Sequence, residues 1–133
     1  MTIYTELTGL YPSFRTDPVT HERVAVNGGL PQLVNLTAHL ALWRDRVLQL
    51  VPDLVEGPVV GLDWEAWEPW WEGNNARPMG EPGQEIFQNK SIELVRQQHP
   101  AWPHEKVLSE AKRQFNVAAR EFWTQTFAVG IRI

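Results

Sequence analysis

A short apolar run, Pro58 to Leu62, most constrains the fold of this chain, because a cluster of carboxylates and aromatic rings follows it directly. The run reads Pro-Val-Val-Gly-Leu, a composition that suits a strand covered on both faces in a parallel sheet. Acidic side chains at the carboxyl end of such a strand lie where α/β folds place their chemistry. This feature therefore predicts an α/β protein with a site at that strand end.

The first two carboxylates after the run, Asp63 and Glu65, are predicted to face the same space. They are two residues apart, so in an extended strand they project to one side, with about 7 Å between their Cα atoms. Two acids in one space repel each other, and burial among indoles penalises the charged form. We expect at least one of them to hold its proton near neutral pH, as a general acid does. The competing interpretation of a lone Asp-x-Glu is a solvated strand end or a helix cap.

The segments before this strand predict a strand, helix, strand unit with parallel strands and a right-handed crossover. Residues 2–11 are predicted to form a strand, and residues 12–32, rich in Pro, Gly and Asn, a long loop. Asn35 is a candidate cap for the helix that follows, which ends at Pro52. The apolar stripe of this helix consists of Leu33, Leu36, Leu40, Trp43, Val47 and Leu50.

Two further helices are predicted after the aromatic cluster. Residues 72–83, rich in Gly, Pro and Asn, are expected to form a surface excursion. One helix occupies residues 85–98, and a second begins near Pro103, whose ring suits a first helical turn. The core face of the second helix is predicted to carry Leu108, Ala111, Phe115, Ala118, Phe122 and Val129. With no boundary between these elements, residues 1–133 are interpreted as one incomplete domain.

Segments along nearly the whole chain resemble the hyaluronidases, a family of animal endo-hexosaminidases. Residues 63–69, Asp-Trp-Glu-Ala-Trp-Glu-Pro, are similar to the catalytic strand of that family. Further matches, in the family's order, are Gly-Leu-Tyr-Pro at 9–12, Gly-Gly-Leu-Pro-Gln at 28–32, Ala-His-Leu at 38–40, Gln-His-Pro at 98–100 and Ala-Ala-Arg at 118–120. The resemblance implies a glycoside hydrolase.

The resemblance also implies that the fold is an incomplete (β/α)₈ barrel. A complete barrel usually needs about 250 residues, and this chain has 133. The family's first strand and later strands are expected to lie outside the matched segment. Strand edges left uncovered in this way favour self-association.

The mechanism that the resemblance implies is substrate-assisted retaining hydrolysis of hyaluronan or chondroitin, in which the sugar's acetamido oxygen attacks the anomeric carbon. Glu65 would protonate the leaving oxygen and later activate water. Asp63 would hold and polarise the acetamido nitrogen. Tyr11 would lie near the cleft, by its match to the family's Gly-Leu-Tyr-Pro.

Four tryptophans of the cluster could offer flat apolar faces to pyranose rings: Trp64, Trp67, Trp70 and Trp71. Because Trp is also a favoured core residue, we expect two of the four to be structural. Trp64 and Trp67 are the candidates for substrate binding.

Glu68 stands where the family motif carries an arginine that can attract the carboxylates of the substrate. The reversed charge is expected to cost binding of a polyanion. It fits a less charged substrate, a chain no longer selected for turnover, or a side chain that points to solvent. The alternative function is accordingly a truncated or degenerate inactive relative that binds sugar or serves as an interaction module.

Other functional classes find little support in the sequence. A formal charge of −4, without a run of Lys and Arg, argues against nucleic acid as a partner. The spacing of the four histidines does not predict a metal site, and neither a phosphate loop nor a dinucleotide fingerprint predicts a cofactor.

The sequence also gives limited information on localisation. No signal peptide and no run of transmembrane length is recognised. The resemblance implies secretion or a lysosomal location for a full-length parent. Asn35 and Asn89 are the two glycosylation sequons.

Overall fold

The computed structural model describes residues 2–51, 61–75 and 85–131. In these residues the elements follow in the order β1 (Thr2–Tyr4), β2 (Ser13–Thr16), β3 (Arg23–Val26), α1 (Leu36–Leu50), β4 (Gly61–Asp63), α2 (Glu85–Gln98) and α3 (His104–Ile131). Two short 3₁₀ helices, Thr5–Leu7 and Trp71–Asn74, follow β1 and the aromatic cluster.

The pairing of β1 with β4 positions the candidate site. The two strands are parallel, and their register aligns Thr2 with Gly61 and Tyr4 with Asp63. The predicted parallel arrangement around α1 is therefore confirmed, although residues 58–60 of the predicted strand lie outside the described residues. Because parallel strands end at the same edge, the chain leaves Tyr4 and Asp63 side by side.

Residues 5–32 differ from the prediction. The strand predicted over residues 2–11 ends at Tyr4, and the predicted long loop contains the antiparallel hairpin of β2 and β3. Its turn is held by Asp17, whose Oδ1 accepts hydrogen bonds from the backbone N–H groups of Val19 and Thr20 at 2.8 and 2.9 Å. Such an Asx turn is a local alternative to an open loop.

The three helices lie close to their predicted positions. Asn35 caps α1 as expected, because its Oδ1 accepts a hydrogen bond from the Ala38 N–H at 3.0 Å. Trp43 and Val47 of the predicted stripe are buried, whereas Leu33 and Leu50 at its ends are exposed. The predicted bounds of α2 are confirmed, and α3 begins directly after Pro103.

Helix α3 supplies the centre of the core. Its buried face carries Val107, Ala111, Phe115, Ala119 and Phe122. Leu108, predicted on this face, is 38% exposed, so the buried stripe begins one residue earlier than the sequence indicated. Burial of a Phe side chain contributes about 1.5–3 kcal/mol relative to exposure, so this face accounts for much of the packing of α3 against α1 and α2.

Candidate active site at the carboxyl edge of the parallel strands

A cleft of about 340 Å³ lies beside the ends of β1 and β4. Tyr11, from the segment after β1, and Trp64, the first residue after β4, both line it. Their ring centroids are 5.2 Å apart. Because both segments emerge from the same edge of the sheet, the parallel pairing brings these two predicted site residues together.

Tyr11 is a fixed wall of the cleft. Its side chain is almost fully buried, and Thr8 Oγ1 lies 3.4 Å from its hydroxyl oxygen. Burial raises the pKa of the Tyr11 hydroxyl above its usual value, so the phenol stays neutral. Asn27 Nδ2 donates a hydrogen bond to the Tyr11 carbonyl at 3.0 Å, which ties the hairpin to this segment.

The two predicted catalytic carboxylates lie in different environments. Asp63 is the last residue of β4 and is half-buried, whereas Glu65 comes two residues later and is exposed. The strand that was expected to direct both side chains to one face ends at Asp63, so β geometry does not impose that direction on Glu65. The expected enclosure of both carboxylates among indoles is therefore wrong for Glu65. A half-buried carboxylate beside an accessible one still suits one group that orients a substrate and one that transfers protons.

Trp64 presents its indole to the cleft. It packs at angles against Trp67 and Trp123, with ring centroids 5.8 and 6.4 Å away. Its Nε1 is buried and has no hydrogen-bond partner among the described residues. The Nε1 atoms of Trp43 and Trp123 are likewise buried without a partner among the described residues, so this property alone does not mark a ligand site.

Trp67 is a core residue, which corrects its predicted role in substrate binding. Only 2% of it is exposed, and its Nε1 donates a hydrogen bond to the Pro12 carbonyl at 2.8 Å. Phe115 and Phe122 of α3 surround the ring, with centroids about 6 Å away. The indole therefore holds the segment after Tyr11 against α3 and leaves no face for a sugar.

The remaining two tryptophans of the cluster differ in burial. Trp71 is buried, and its backbone N–H donates to Asn116 Oδ1 on α3 at 2.8 Å. Trp70 is 52% exposed. Two of the four tryptophans, Trp67 and Trp71, are thus buried, which agrees with the predicted number but not with the choice of Trp67 as a substrate contact.

Glu68 is half-buried. A Cβ added to Gly73 would lie 2.5 Å from the Glu68 Cβ, so the two residues are in close contact and Gly73 has no room for a side chain. Buried Asn74 fixes the backbone here, because its side chain accepts from the Glu68 N–H and donates to the Glu68 carbonyl, both at 2.9 Å. Sequence reasoning missed Asn74, which no motif distinguishes from a surface Asn.

His39 is a second residue that the sequence did not single out. It is fully buried in α1 and bonded to both the Tyr11 segment and α3. Burial lowers the pKa of His39 to about 4. Its position in the family-like Ala-His-Leu segment was the only available signal.

Metal-binding and membrane-spanning features are both lacking in the described part of the chain. Across residues 2–51, 61–75 and 85–131, no group of three or more His, Cys, Asp or Glu side chains could hold a metal ion. None of the helices described is long and apolar enough to cross a membrane.

Solved structures define the class of protein. Bee venom hyaluronidase in complex with a hyaluronic acid tetramer matches with a TM-score of 0.88 and 34% identity, over 99% of this chain and 38% of that chain. A monoclinic crystal structure of bee venom hyaluronidase matches with a TM-score of 0.80 and 32% identity, over 98% of this chain and 37% of that chain. The fold is part of a TIM-barrel glycoside hydrolase.

Sequence comparisons identify the family. The hyaluronidase family model matches residues 1–133. Hyaluronidase PH-20 of Cavia porcellus is 40% identical over 127 residues, which are 96% of this chain and 22% of that protein. The hyaluronidase of Apis mellifera is 35% identical over 125 residues, which are 94% of this chain and 31% of that protein. The chain belongs to the hyaluronidase family, and it spans less than a third of the length of these two relatives.

Proposed function

We propose that this chain forms part of the active site of a hyaluronidase that cleaves β-1,4 N-acetylhexosaminide bonds of hyaluronan or chondroitin. One observation carries the proposal: Asp63 ends a parallel strand, and exposed Glu65 follows it at the edge where Tyr11 and Trp64 line a cleft. A glycosidase of this fold class needs its carboxylates at that edge.

The two carboxylates are assigned different roles because the two residues differ in exposure. Glu65 is accessible, so a saccharide can reach it, and it protonates the leaving oxygen and then activates water. Asp63 is half-buried at the strand end, where a fixed carboxylate accepts the acetamido N–H and stabilises the positive charge of the cyclised intermediate. This division is that of substrate-assisted retaining hydrolysis.

Substrate contacts come from the aromatic pair. Trp64 lines the cleft, and the flat apolar face of its indole suits the C–H face of a pyranose ring. The ring of Tyr11 lies against it and shapes the wall of the cleft. Trp67 is left out of the proposed contacts because it is buried. The hyaluronic acid tetramer in the bee venom structure supports a glycosaminoglycan as the substrate.

A thiazoline analogue of the cyclised N-acetylhexosamine intermediate tests the mechanism directly. The chain should bind the analogue more tightly than N-acetylglucosamine, because enzymes favour structures that resemble the transition state. Asp63→Asn should remove most of this preference, while Asp45→Asn on the exposed side of α1 should retain it. Equal affinity for the two ligands in the unaltered chain would exclude substrate assistance.

An inactive relative that binds sugar or another protein is the second candidate. Glu68 favours it, because this half-buried carboxylate occupies the position at which the family motif carries an arginine. Saccharide binding without bond cleavage would assign the chain to this class. Cleavage would exclude it.

The uncovered strands support self-association. In the described part of the sheet, β1 and β4 pair only with each other, and Tyr4 and Leu7 are exposed beside them. Such edges pair with other chains unless they are covered. Sedimentation equilibrium should show a dimer or larger species that dissociates in Leu7→Lys. A monomer at every concentration would refute this proposal.

Two further proposals concern domain and localisation. Residues 1–133 form one partial domain, which predicts a single cooperative transition in urea. A broad, non-cooperative transition would contradict it.

The full-length parent is secreted or lysosomal, and exposed Asn89 on α2 would then carry a glycan, whereas the Asn35 side chain is engaged as a helix cap. Expression in animal cells with and without Asn89→Gln tests this by the loss of a glycan, and an unglycosylated protein would contradict it.

A further inference from the structure

His39 joins three parts of the molecule through one buried ring. Its Nδ1 accepts a hydrogen bond from the backbone N–H of Leu10 at 3.0 Å. Its Nε2 lies 3.0 Å from Thr126 Oγ1 on α3. The ring itself belongs to α1 and is fully buried. The segment that carries Tyr11 is therefore tied to both helices through this single side chain.

The hydrogen-bond network assigns the proton on the ring. The hydroxyl of Thr126 has one hydrogen, which it donates to the Phe122 carbonyl at 2.7 Å. Thr126 Oγ1 must therefore accept from Nε2, so that nitrogen carries the proton. Nδ1 faces the Leu10 N–H, a donor, and must be unprotonated. Only the neutral ring with its proton on Nε2 satisfies both contacts.

Packing limits the ring to this position. A Cβ added to Gly9 would lie 2.7 Å from two ring atoms of His39, so glycine permits the close approach. Tyr11 meets the ring edge-on, with centroids 4.8 Å apart, and Phe122 covers it at 4.4 Å. Because the other side of Tyr11 contacts Trp64 in the cleft, a shift of His39 is transmitted to the cleft wall.

We propose that His39 is a positioning residue that fixes the segment from Gly9 to Tyr11 at the cleft, and that it does so only as the neutral ring protonated on Nε2. His39 acts through Leu10 and Tyr11 and does not line the cleft itself. The effect on the cleft rests on the proposed function. The assignment of the ring proton does not depend on that function.

The contacts of the ring with described residues are uncharged. Leu10 and Tyr11 face it from the segment after β1, and Phe122 and Thr126 face it from α3. Tyr11 is titratable, but burial raises its pKa, so it stays neutral in acid. A second proton on His39 would thus sit on Nδ1, opposite the Leu10 N–H, where no carboxylate among these contacts stabilises it.

Two substitutions separate the contacts of the ring. The amide oxygen of Asn occupies nearly the position of Nδ1, and the amide nitrogen of Gln occupies nearly that of Nε2. His39→Asn should keep the Leu10 bond, and His39→Gln should keep the Thr126 bond. Thr126→Val is the matched control, because it removes the α3 contact without touching the Leu10 bond.

The experiment combines nitrogen-15 NMR with hydrogen exchange and saccharide binding in the full chain. The unaltered protein should show a protonated Nε2 and an unprotonated Nδ1, which requires no variant to fold. Leu10 amide exchange should accelerate about tenfold in His39→Gln and stay nearly unchanged in His39→Asn and Thr126→Val. A proton on Nδ1, or equal exchange in all variants, would overturn the proposal.

Binding of a hyaluronan oligosaccharide gives the readout specific to the cleft. His39→Gln should weaken binding about fivefold, and His39→Asn should restore it to within about twofold of the unaltered chain. Equal loss in both variants would overturn the positioning role. Absence of binding in the unaltered chain would refute the proposed function alone, because the NMR and exchange results would still decide the role of His39.

Discussion

Two tryptophans from the two halves of the aromatic motif, Trp64 in residues 63–65 and Trp67 in residues 67–71, have different environments. In the first half Trp64 lines the cleft, and its Nε1 has no partner within the described residues. In the second half Trp67 is buried, and its Nε1 is bonded to the Pro12 carbonyl. Neighbouring tryptophans of one motif therefore serve different purposes. Residue type and spacing do not distinguish an indole that lines the cleft from a core indole, whereas the packing of Trp67 against α3 does.

The largest effect predicted by this comparison is on stability. Trp67→Ala should lower the free energy of unfolding by about 3–5 kcal/mol, because it opens a cavity among Phe115 and Phe122. Trp70→Ala, at an exposed indole, should cost less than about 1 kcal/mol. Urea unfolding followed by circular dichroism measures both. Similar losses for the two variants would contradict the assignment of Trp67 to the core and of Trp70 to the surface.

A smaller effect should appear in the dependence of stability on pH. Burial lowers the pKa of His39 from 6.5 to about 4, so between these values the unfolded chain binds a proton that the folded chain excludes. The stabilisation of the folded chain by neutral His39 is fully present above pH 6.5 and is lost as the pH falls toward 4. The contribution of His39 to the free energy of unfolding changes by at most about 1.4 kcal/mol per pH unit.

His39→Asn removes the titrating group and should flatten this part of the profile. Urea titrations at several pH values give the free energies of unfolding for the comparison. An unchanged slope in His39→Asn would mean that other groups cause the loss of stability in acid.

The sequence predicted some elements of the fold more accurately than others. Helix α2 was predicted with its observed bounds, because its ends lie beside clear stop and start signals. The hairpin of β2 and β3 was missed, because four-residue strands among Pro, Gly and Asn have the composition of a loop. Its strands are held by their pairing and by the Asx turn at Asp17, which are not visible as periodicity.

In the candidate site, too, local sequence signals predicted some features, and contacts between distant residues were missed. The motif correctly predicted that Asp63 ends a parallel strand, since an apolar run followed by acids is a local signal. The burial of Trp67 depends on α3, which lies about 50 residues further along the chain. The contacts of His39 with Leu10 and Thr126 span 29 and 87 residues. Such distant contacts follow from the fold and cannot be read from spacing.

A substitution of Trp64, in residues 63–65, should change saccharide binding and leave the free energy of unfolding nearly unchanged. Trp64→Phe replaces the indole by a smaller flat ring and reduces the apolar area offered to a sugar, so affinity for a hyaluronan oligosaccharide should fall about fivefold. The free energy of unfolding should change by less than about 1 kcal/mol, because the lost N–H has no protein partner in the described structure. Isothermal titration and urea unfolding measure the two quantities, with Trp70→Phe as the control. A stability loss without a binding change would place Trp64 with Trp67.

The smallest predicted effect concerns Glu68, in the second half of the motif. Glu68→Arg should raise affinity for hyaluronan about two- to fivefold at low salt, because it replaces a repulsive charge with an attractive one. The gain should shrink at high ionic strength. The salt dependence of binding checks this, and a salt-independent change would indicate a rearrangement against Gly73 instead.

Release of reducing ends from hyaluronan and chondroitin, from acidic to neutral pH, tests the central claim most directly. We predict release by this chain and a loss of about 100-fold or more in Glu65→Gln, which keeps the shape of the side chain and removes the acid. Glu72→Gln, at an exposed carboxylate bonded to Lys112, serves as the control and should retain activity. Unchanged release in Glu65→Gln would contradict the assignment of the acid, and no release from the unaltered chain would contradict the proposed activity.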